Sequence, residues 1–371
     1  MPGSESVTVR APVLWRAGEP MVMEDLVVAP PGPGEVRVRM AASGVCHSCL
    51  HVADGSHGGI PFPVVLGDEG AGVVEAVGDG CRRHRVGDPV IVSWAPSCGQ
   101  CRFCALGRPA LCLHGAPVGF LADGTTRFSV AGQAVHHFGP ATYAPLTVLA
   151  ESAAISITTR MPLDRAALIG CSVATGVGAV VNTAGARMGS SVAVFGCGGV
   201  GLNAIQGAVL AGAHPIVAVD VRRSRTELAR TLGATAAVDA GAADAAGQLQ
   251  DLAPGGFDVT VVAAGSGPAF ESAWAATGRG GICVLVGKPP DGTRIDFDPQ
   301  TLLAGERRLS GSVYGSVRPE ADFPKLVDLY LAGRLRLDEL ITRRYQLDEA
   351  DQAFNDLTRG EVARGLIVFP S

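Results

Sequence analysis

Hydrophobic and polar positions follow two different patterns along the chain, and the pattern changes near Cys171. Before that point, short apolar or alternating runs are separated by Gly and Pro turns, which predicts β-strands. The predicted strands are Val22–Val28, Val36–Met40, Val64–Leu66, Gly72–Val77 and Pro89–Ser93. The first part of the chain is therefore predicted to form a β-rich barrel or sandwich.

After Cys171, apolar runs alternate with stretches of helical pattern, which predicts parallel βαβ units. The predicted strands are Val192–Phe195, Ile216–Asp220, Val259–Ala264 and Ile282–Val286. The predicted helices between them are Val200–Ala211, a helix from Ser224 to about Gly233, and Ala269–Ala276. The second of these is expected to begin with a capping box formed by Ser224 and Glu227. The chain is predicted to end with helices Phe323–Ala332 and Leu347–Thr358 and a strand Gly365–Phe369.

Composition places the chain among globular proteins. Its 371 residues correspond to about two domains at roughly 150 residues each. Apolar residues make up 47%, the net charge is −5, and no basic stripe is present, which argues against a nucleic-acid partner. Two long uncharged stretches, before and after Arg187, contain many glycines and are interpreted as buried core. No basic segment followed by an apolar run begins the chain, so we expect a soluble, cytoplasmic protein.

Ten cysteines without a secretion signal favour metal binding or catalysis over disulfides. Four of them lie within 15 residues: Cys98, Cys101, Cys104 and Cys112. Four thiolates so close in sequence predict a closed, tetrahedral and therefore structural Zn²⁺ site. The alternative is a surface loop with reduced cysteines, which would leave several reactive thiols exposed.

A dinucleotide site is predicted where strand Val192–Phe195 ends. The segment Gly196-Cys197-Gly198-Gly199-Val200-Gly201 fits the pattern G-x-G-x-x-G between a strand and a helix, whose N-terminus would bind the pyrophosphate. Asp220 ends the next strand, where a carboxylate accepts from a ribose hydroxyl and repels a 2′-phosphate. NAD(H) is therefore favoured over NADP(H), although three arginines, Arg222, Arg223 and Arg225, lie nearby. The alternative is a glycine turn with a surface aspartate.

With these motifs the chain resembles the zinc-dependent alcohol dehydrogenases of the medium-chain dehydrogenase/reductase family, nearly from end to end. Further matching segments are Gly44–His51 (GVCHSCLH), Leu66–Gly78 (LGDEGAGVVEAVG), Val86–Trp94 (VGDPVIVSW), Gly170–Val180 (GCSVATGVGAV) and Gly360–Phe369 (GEVARGLIVF). The resemblance implies a mixed α/β protein: a GroES-like catalytic domain over 1–172 and 313–371, with the structural zinc lobe at about 95–113, and a Rossmann NAD-binding domain over 173–312.

The resemblance also implies a catalytic zinc held by Cys, His and Cys, of which Cys46 and Cys171 fit the cysteine positions. Asp68 stands where the family's GHE triplet has its histidine, and Cys49 replaces the acid that hydrogen-bonds that histidine. The two changes fit together, because a second carboxylate beside Asp68 would be repelled. We expect zinc on Cys46, Asp68 and Cys171, with net charge −1 and weaker Lewis acidity.

Three alternatives remain open at this metal site. Glu69 is a further candidate ligand. Cys49 is either another thiolate ligand or, if the metal is lost, a disulfide partner of Cys46. The third alternative is loss of the catalytic zinc altogether.

Other positions take roles from the same resemblance. Ser48 fits the hydroxyl that hydrogen-bonds the substrate oxygen, and His51 fits the relay that passes the proton outward through a ribose hydroxyl. His47 fits a pyrophosphate contact. Trp94 and Tyr143 fit the substrate pocket and suggest an aromatic or bulky apolar substrate; core packing is the alternative for each.

The sequence therefore predicts an NAD(H)-dependent oxidoreductase that interconverts a primary alcohol and its aldehyde, with one structural and one catalytic Zn²⁺. A homodimer is expected, with a tetramer as the alternative, and no membrane or nucleic-acid partner. A rival hypothesis is a reductase of an activated alkene or iminium that works with weakened or absent catalytic zinc. A second rival is a catalytically silent NAD(H)-binding protein, against which the retained Ser48 and His51 argue.

Overall fold

The computed structural model describes residues 5–116, 118–290 and 292–370. These residues form two compact units. The first contains the chain up to Cys171 together with the chain from Arg318 onward, and the second is Ser172–Val317. The sequence prediction placed the two boundaries after residues 172 and 312.

The first unit contains two sheets in the part of the chain that the structure describes, and most neighbouring strands are antiparallel. One sheet has the strand order Val7–Val13, Val22–Val28, Phe128–Val130, Gln133–His137 and Val64–Val65. The other has the order Ala154–Ser156, Pro89–Val92, Gly70–Val77, Glu35–Gly44, Arg364–Val368 and Ile341–Tyr345, with Leu146–Ala150 also paired to Glu35–Gly44. The prediction of a β-rich first part is confirmed.

Helices of the first unit connect and cover these sheets. They are His47–Ala53, Arg102–Ala105, Leu163–Leu168, Pro319–Leu331 and Ala350–Arg359, with single turns at Pro109–Leu111, Glu151–Ala153, Asp338–Leu340 and Leu347–Glu349. A hydrophobic core joins helix His47–Ala53 to the sheets: Val45, Val52, Leu66 and Ile367 are all fully buried in it. This core surrounds the candidate metal ligands described below.

The second unit is a parallel sheet with helices between its strands. Across the described residues its order is Ala236–Asp239, Ile216–Asp220, Val192–Phe195, Phe257–Val262, Thr277–Leu285 and Arg308–Gly311. In chain order this is 3-2-1-4-5-6, the Rossmann arrangement. The helices are Ala174–Gly178, Gly199–Leu210, Arg223–Thr231, Ala245–Leu252, Gly267–Ala276 and Pro299–Ala304, with single turns at Ala179–Ala184 and Tyr314–Ser316.

The predicted capping box at Ser224 is wrong. The helix begins at Arg223, and no side chain caps its first turn. The Asp220 carboxylate instead accepts a hydrogen bond from the backbone N–H of Arg222 (2.9 Å), which fixes the chain just before the helix. Glu227 accepts from the Arg223 side chain at 2.8 Å rather than from a backbone N–H.

The apolar stretch Leu163–Ala184 is helical throughout and long enough to cross a membrane by length and composition alone. Its most apolar window is 78% buried inside the protein, as in a core helix. Between Ile169 and Val173 the helix widens into a π turn, and this turn carries Cys171. Such turns often occur at functional sites.

Gly201 offers a test of the predicted glycine motif. A Cβ at this position would overlap the Gly196 carbonyl oxygen, and Gly196 itself has φ +93°. We expect Gly201→Ala to lower the free energy of unfolding by about 1–3 kcal/mol. NADH binding, followed by fluorescence titration, should weaken as the helix N-terminus is displaced.

Gly247→Ala is the matched control, because this glycine is also helical and nothing lies within 4 Å of its added Cβ. Alanine there should leave stability unchanged or raise it by up to about 1 kcal/mol. Equal unfolding midpoints for the two variants would contradict the packing role of Gly201.

Candidate metal and cofactor sites

The first group of candidate residues lies at the start of helix His47–Ala53. Cys46 is the N-cap, and its Sγ accepts a hydrogen bond from the backbone N–H of Ser48 at 3.5 Å. Cys46 and Cys49 are buried, whereas Ser48 and His51 are half-buried and His47 is exposed. The helix therefore directs two thiols inward and keeps the predicted proton-relay residues accessible.

The segment Gly67-Asp68-Glu69 brings two carboxylates into the same interior. Gly67 has φ +119°, and a Cβ there would lie 2.5 Å from the Thr142 backbone nitrogen, so the position requires glycine. Thr142 N–H donates to the Gly67 carbonyl at 3.1 Å. Asp68 is 5% exposed and Glu69 is fully buried.

These elements and the π turn bring the two predicted cysteine ligands together with Glu69, the further candidate, and Asp68 lies outside this group of three. Ligand atoms of Cys46, Glu69 and Cys171 lie within 4.8 Å of one another. Asp68 lies between two cysteine sulfurs: its Oδ2 is 3.6 Å from Cys171 Sγ, and its Oδ1 is 3.4 Å from Cys49 Sγ. Both carboxylates thus reach the thiols, and Asp68 as the third ligand stays a prediction.

Sequence reasoning missed Arg364, which lies 3% exposed in the C-terminal strand and donates to Glu69 Oε2. Gly44 allows this pair to form, because a Cβ there would lie 2.6 Å from Glu69 Cδ and 2.9 Å from Arg364 Nη2. The available signal was a charged residue inside an otherwise apolar terminal strand, and its partner is 295 residues away.

Burial and crowding shift the pKa values in this cluster. The pKa of Cys46 is held well below its usual range by hydrogen bonding with Cys171 and by the charge of Arg364. The pKa of Cys171 is raised by the same contact and by burial. Burial and the charge of Cys46 raise the pKa of Asp68. Thiolate sulfurs and carboxylate oxygens that are buried together carry negative charge that a bound cation neutralises. These residues therefore fit Zn²⁺.

Cys49 is fully buried beside this cluster. Burial and the Asp68 carboxylate raise the pKa of its thiol well above the usual range. Cys49 therefore favours the protonated state in which it can donate to Asp68.

The four-cysteine lobe forms a second donor cluster. Cys98, Cys101, Cys104 and Cys112 have sulfur atoms within 4.8 Å of one another. Backbone N–H groups support the sulfurs: Cys112 Sγ accepts from Cys98 at 3.3 Å and from His114 at 3.4 Å. Backbone hydrogen bonds, chiefly from Leu113, lower the pKa of Cys101 to about 6. Four sulfurs with no other ligand position fit a closed structural zinc site.

The dinucleotide motif has the geometry that the sequence predicted. Helix Gly199–Leu210 begins directly after Gly198, and a Cβ on Gly198 would meet nothing within 4 Å, so the approach to the helix N-terminus is open. Asp220, which is 6% exposed, accepts from the Cys197 backbone N–H at 2.7 Å. Arg225 Nη1 lies 3.9 Å from the same carboxylate.

The two predicted pocket residues differ in exposure. Trp94 is half-buried, whereas Tyr143 is fully buried and packs near Phe354, with ring centroids 6.0 Å apart. A fully buried ring contacts a substrate only after its neighbours move. The role of Tyr143 in the substrate pocket stays a prediction.

Known proteins resemble the chain over its whole length. Residues 32–159 match the alcohol dehydrogenase GroES-like domain, and residues 199–332 match the zinc-binding dehydrogenase family. Alcohol dehydrogenase class-3 of Drosophila melanogaster is 39% identical over 98% of each chain. A solved alcohol dehydrogenase zinc-binding domain protein from Burkholderia ambifaria is 36% identical, with TM-score 0.95 over 99% of this chain and 100% of that one. Benzyl alcohol dehydrogenase from Acinetobacter calcoaceticus is 32% identical, with TM-score 0.93 over the same shares.

The chain belongs to the zinc-dependent alcohol dehydrogenases of the medium-chain dehydrogenase/reductase family. It is an oxidoreductase of alcohols and aldehydes, and zinc and NAD(H) are the cofactors of this family. The predictions of family, fold class and cofactors are confirmed.

The Arg364–Glu69 pair can be tested by a double-mutant cycle. Removing one member of a buried ion pair costs about 3–5 kcal/mol, because the other charge stays buried without its partner. We therefore expect Arg364→Met to lower the free energy of unfolding by that amount in urea denaturation of the zinc-loaded protein.

The double variant Arg364→Met/Glu69→Gln should recover most of the loss. If the stability losses of Arg364→Met and Glu69→Gln simply add in the double variant, the ion pair does not account for the burial of Glu69.

Proposed function

We propose that this protein interconverts a primary, aromatic or bulky apolar alcohol and its aldehyde with NAD⁺ and NADH, and that Cys46, Asp68 and Cys171 hold its catalytic zinc. The observation that carries the proposal is the buried cluster of thiols and carboxylates next to Ser48. The proposal includes a cytoplasmic homodimer.

The chain's donors determine how strongly the metal acts. When bound, Zn²⁺ supplies Lewis-acid polarisation of the substrate oxygen. Two thiolates and the Asp68 carboxylate give a net charge of −1, where a neutral histidine would give zero. We therefore infer weaker polarisation than in a site with histidine, so that turnover depends more on proton removal by the chain's own residues.

Ser48 and His51 are the residues that we assign to proton removal. Ser48 lies two positions after Cys46 at the helix start; the residue is half-buried, and its backbone N–H donates to the Cys46 thiol at 3.5 Å. Its Oγ would take the proton of the substrate hydroxyl while donating its own proton onward. His51, one helical turn later and half-buried, would accept this proton and release it to water, since an imidazole can both accept and donate a proton.

Two further assignments concern specificity. Trp94 is half-buried and offers an aromatic wall, and the similar benzyl alcohol dehydrogenase acts on an aromatic alcohol by its name. Asp220 lies at the end of strand Ile216–Asp220, where its carboxylate would repel a 2′-phosphate and so favour NAD(H). Both assignments rest on side-chain chemistry at these positions.

A second candidate function follows from the presence of Asp68 where the family has its histidine ligand. With weakened or absent catalytic zinc, hydride transfer from NADH would still reduce a substrate that is already electrophilic, such as an activated alkene or an iminium. The replacement of a neutral ligand by a carboxylate favours this alternative, because it lowers the Lewis acidity of the site.

An activity panel separates the two functions. We expect the purified protein to contain two zinc ions per chain and to oxidise benzyl alcohol with NAD⁺, with activity lost on chelation and restored by Zn²⁺. Turnover of an enal or iminium alone, unchanged by chelator and accompanied by one zinc per chain, would establish the second function. NADH binding without turnover of any substrate would support a silent binding protein.

Restoring the family's ligand tests the charge argument. Asp68→His returns the site to neutral charge but leaves the imidazole without an orienting acid. We expect higher kcat on simple primary alcohols only in Asp68→His/Cys49→Asp, with zinc content measured on the same preparations. Full gain from the single change would show that Cys49 is not coupled to Asp68.

A further inference from the structure

Each oxygen of the Asp68 carboxylate faces a cysteine sulfur. Oδ2 faces Cys171 Sγ at 3.6 Å, and Oδ1 faces Cys49 Sγ at 3.4 Å. A metal-ligating side chain needs a hydrogen-bond partner that fixes its orientation. Cys49 occupies the place from which such a contact can be made.

Tyr143 lies against the same part of the chain. Its backbone N–H donates to the Leu66 carbonyl at 3.0 Å, and the neighbouring Thr142 N–H donates to Gly67. These two bonds hold the tyrosine beside the segment that carries Asp68. The side chain has no exposed area and belongs to the core cluster that also contains Cys49 and Cys171.

The Tyr143 hydroxyl is buried and has no hydrogen-bond partner among the described residues. Leaving a buried donor unsatisfied costs about 1–3 kcal/mol, and phenylalanine would fill the same space without this cost. Burial, and then the neighbouring Cys49, Asp68 and Cys46, raise the pKa of this hydroxyl well above its usual range. The orphaned donor therefore lies in the same core as the metal-ligand cluster.

We propose that Tyr143 and Cys49 are positioning residues for Asp68: the Cys49 thiol donates to Asp68 Oδ1, and the Tyr143 hydroxyl, which has no partner among the described residues, donates to Cys49 Sγ when the metal is bound. This inference rests on the proposed function, in which Asp68 is a ligand of the catalytic metal. The chain of donors leaves Oδ2 directed toward Cys171 and keeps the carboxylate from rotating. Cys49 is then a support and not a fourth ligand.

Cobalt substitution gives a readout that a purely structural role would not change. The protein is loaded with Co²⁺ at both sites, and two quantities are measured: thiolate-to-cobalt absorption and the rate of cobalt release to a chelator. Cys171→Ala identifies the absorption that belongs to the cluster. The variants are Tyr143→Phe, Cys49→Ala, Cys49→Ser and the double variant Tyr143→Phe/Cys49→Ala.

Loss of a residue that hydrogen-bonds a metal ligand typically weakens metal binding by roughly 10–100-fold. We expect cobalt release to accelerate by about that factor in Cys49→Ala and by a smaller factor in Tyr143→Phe. Cys49→Ser should restore slower release, since its hydroxyl still donates. The double variant should behave as Cys49→Ala alone, because both residues act through the same contact.

Tyr345→Phe is the matched control. Tyr345 is a buried tyrosine of the same core, but its hydroxyl already has a partner, since it donates to Asp356 at 2.7 Å. Its removal should lower the unfolding midpoint without accelerating cobalt release.

Four results would overturn the inference. An unchanged rate of cobalt release in Tyr143→Phe, or additive effects on that rate in the double variant, would show that Tyr143 does not act on Asp68 through Cys49. The metal site itself would stand. Loss of part of the thiolate absorption in Cys49→Ser would make Cys49 a ligand. A wild-type protein that binds one cobalt per chain would overturn the proposed metal site itself, and with it the need for any support.

Discussion

Anionic side chains packed into the protein interior are the constraint around which the first unit is organised. Cys46, Asp68, Glu69 and Cys171 share this space, and each buried charge carries a desolvation cost of several kcal/mol. Arg364 offsets one of them through its contact with Glu69. The remaining negative charge requires a metal ion or protons, so metal binding and the stability of this unit are linked.

The three segments that carry these residues reach this space only because the backbone approaches closely at particular positions. Gly44 leaves room for the ion pair, and Gly67 turns the chain so that the next two side chains point inward. Ser43 Oγ donates to the Glu69 carbonyl at 3.0 Å, which ties the central strand to the same turn. The site is therefore a product of the assembled sheet rather than of any one loop, and a change in strand pairing would separate its ligands.

Local patterns explain which features were predictable from the sequence. The Rossmann strands Val192–Phe195 and Ile216–Asp220 and the four-cysteine lobe were predicted because each signal lies within a short segment. The start of helix Arg223–Thr231 was misjudged, because Asp220 fixes the preceding chain and displaces the expected cap. The partnership of Arg364 with Glu69 has no local signal, since their contact depends on the pairing of strands far apart in sequence.

In the proposed metal site, the exchange of residues around the catalytic ligands reverses the direction of hydrogen bonding. In a carboxylate–histidine–zinc arrangement, the ligand imidazole donates and the supporting carboxylate accepts. A ligand carboxylate such as Asp68 can only accept when ionised, so its support must be a donor. Cys49 meets this requirement, and a thiol that donates on one side still has lone pairs that can accept from Tyr143. The identity of one ligand thus dictates the chemistry of two further buried positions, which is why substitutions at this site should be considered as a set and not one at a time.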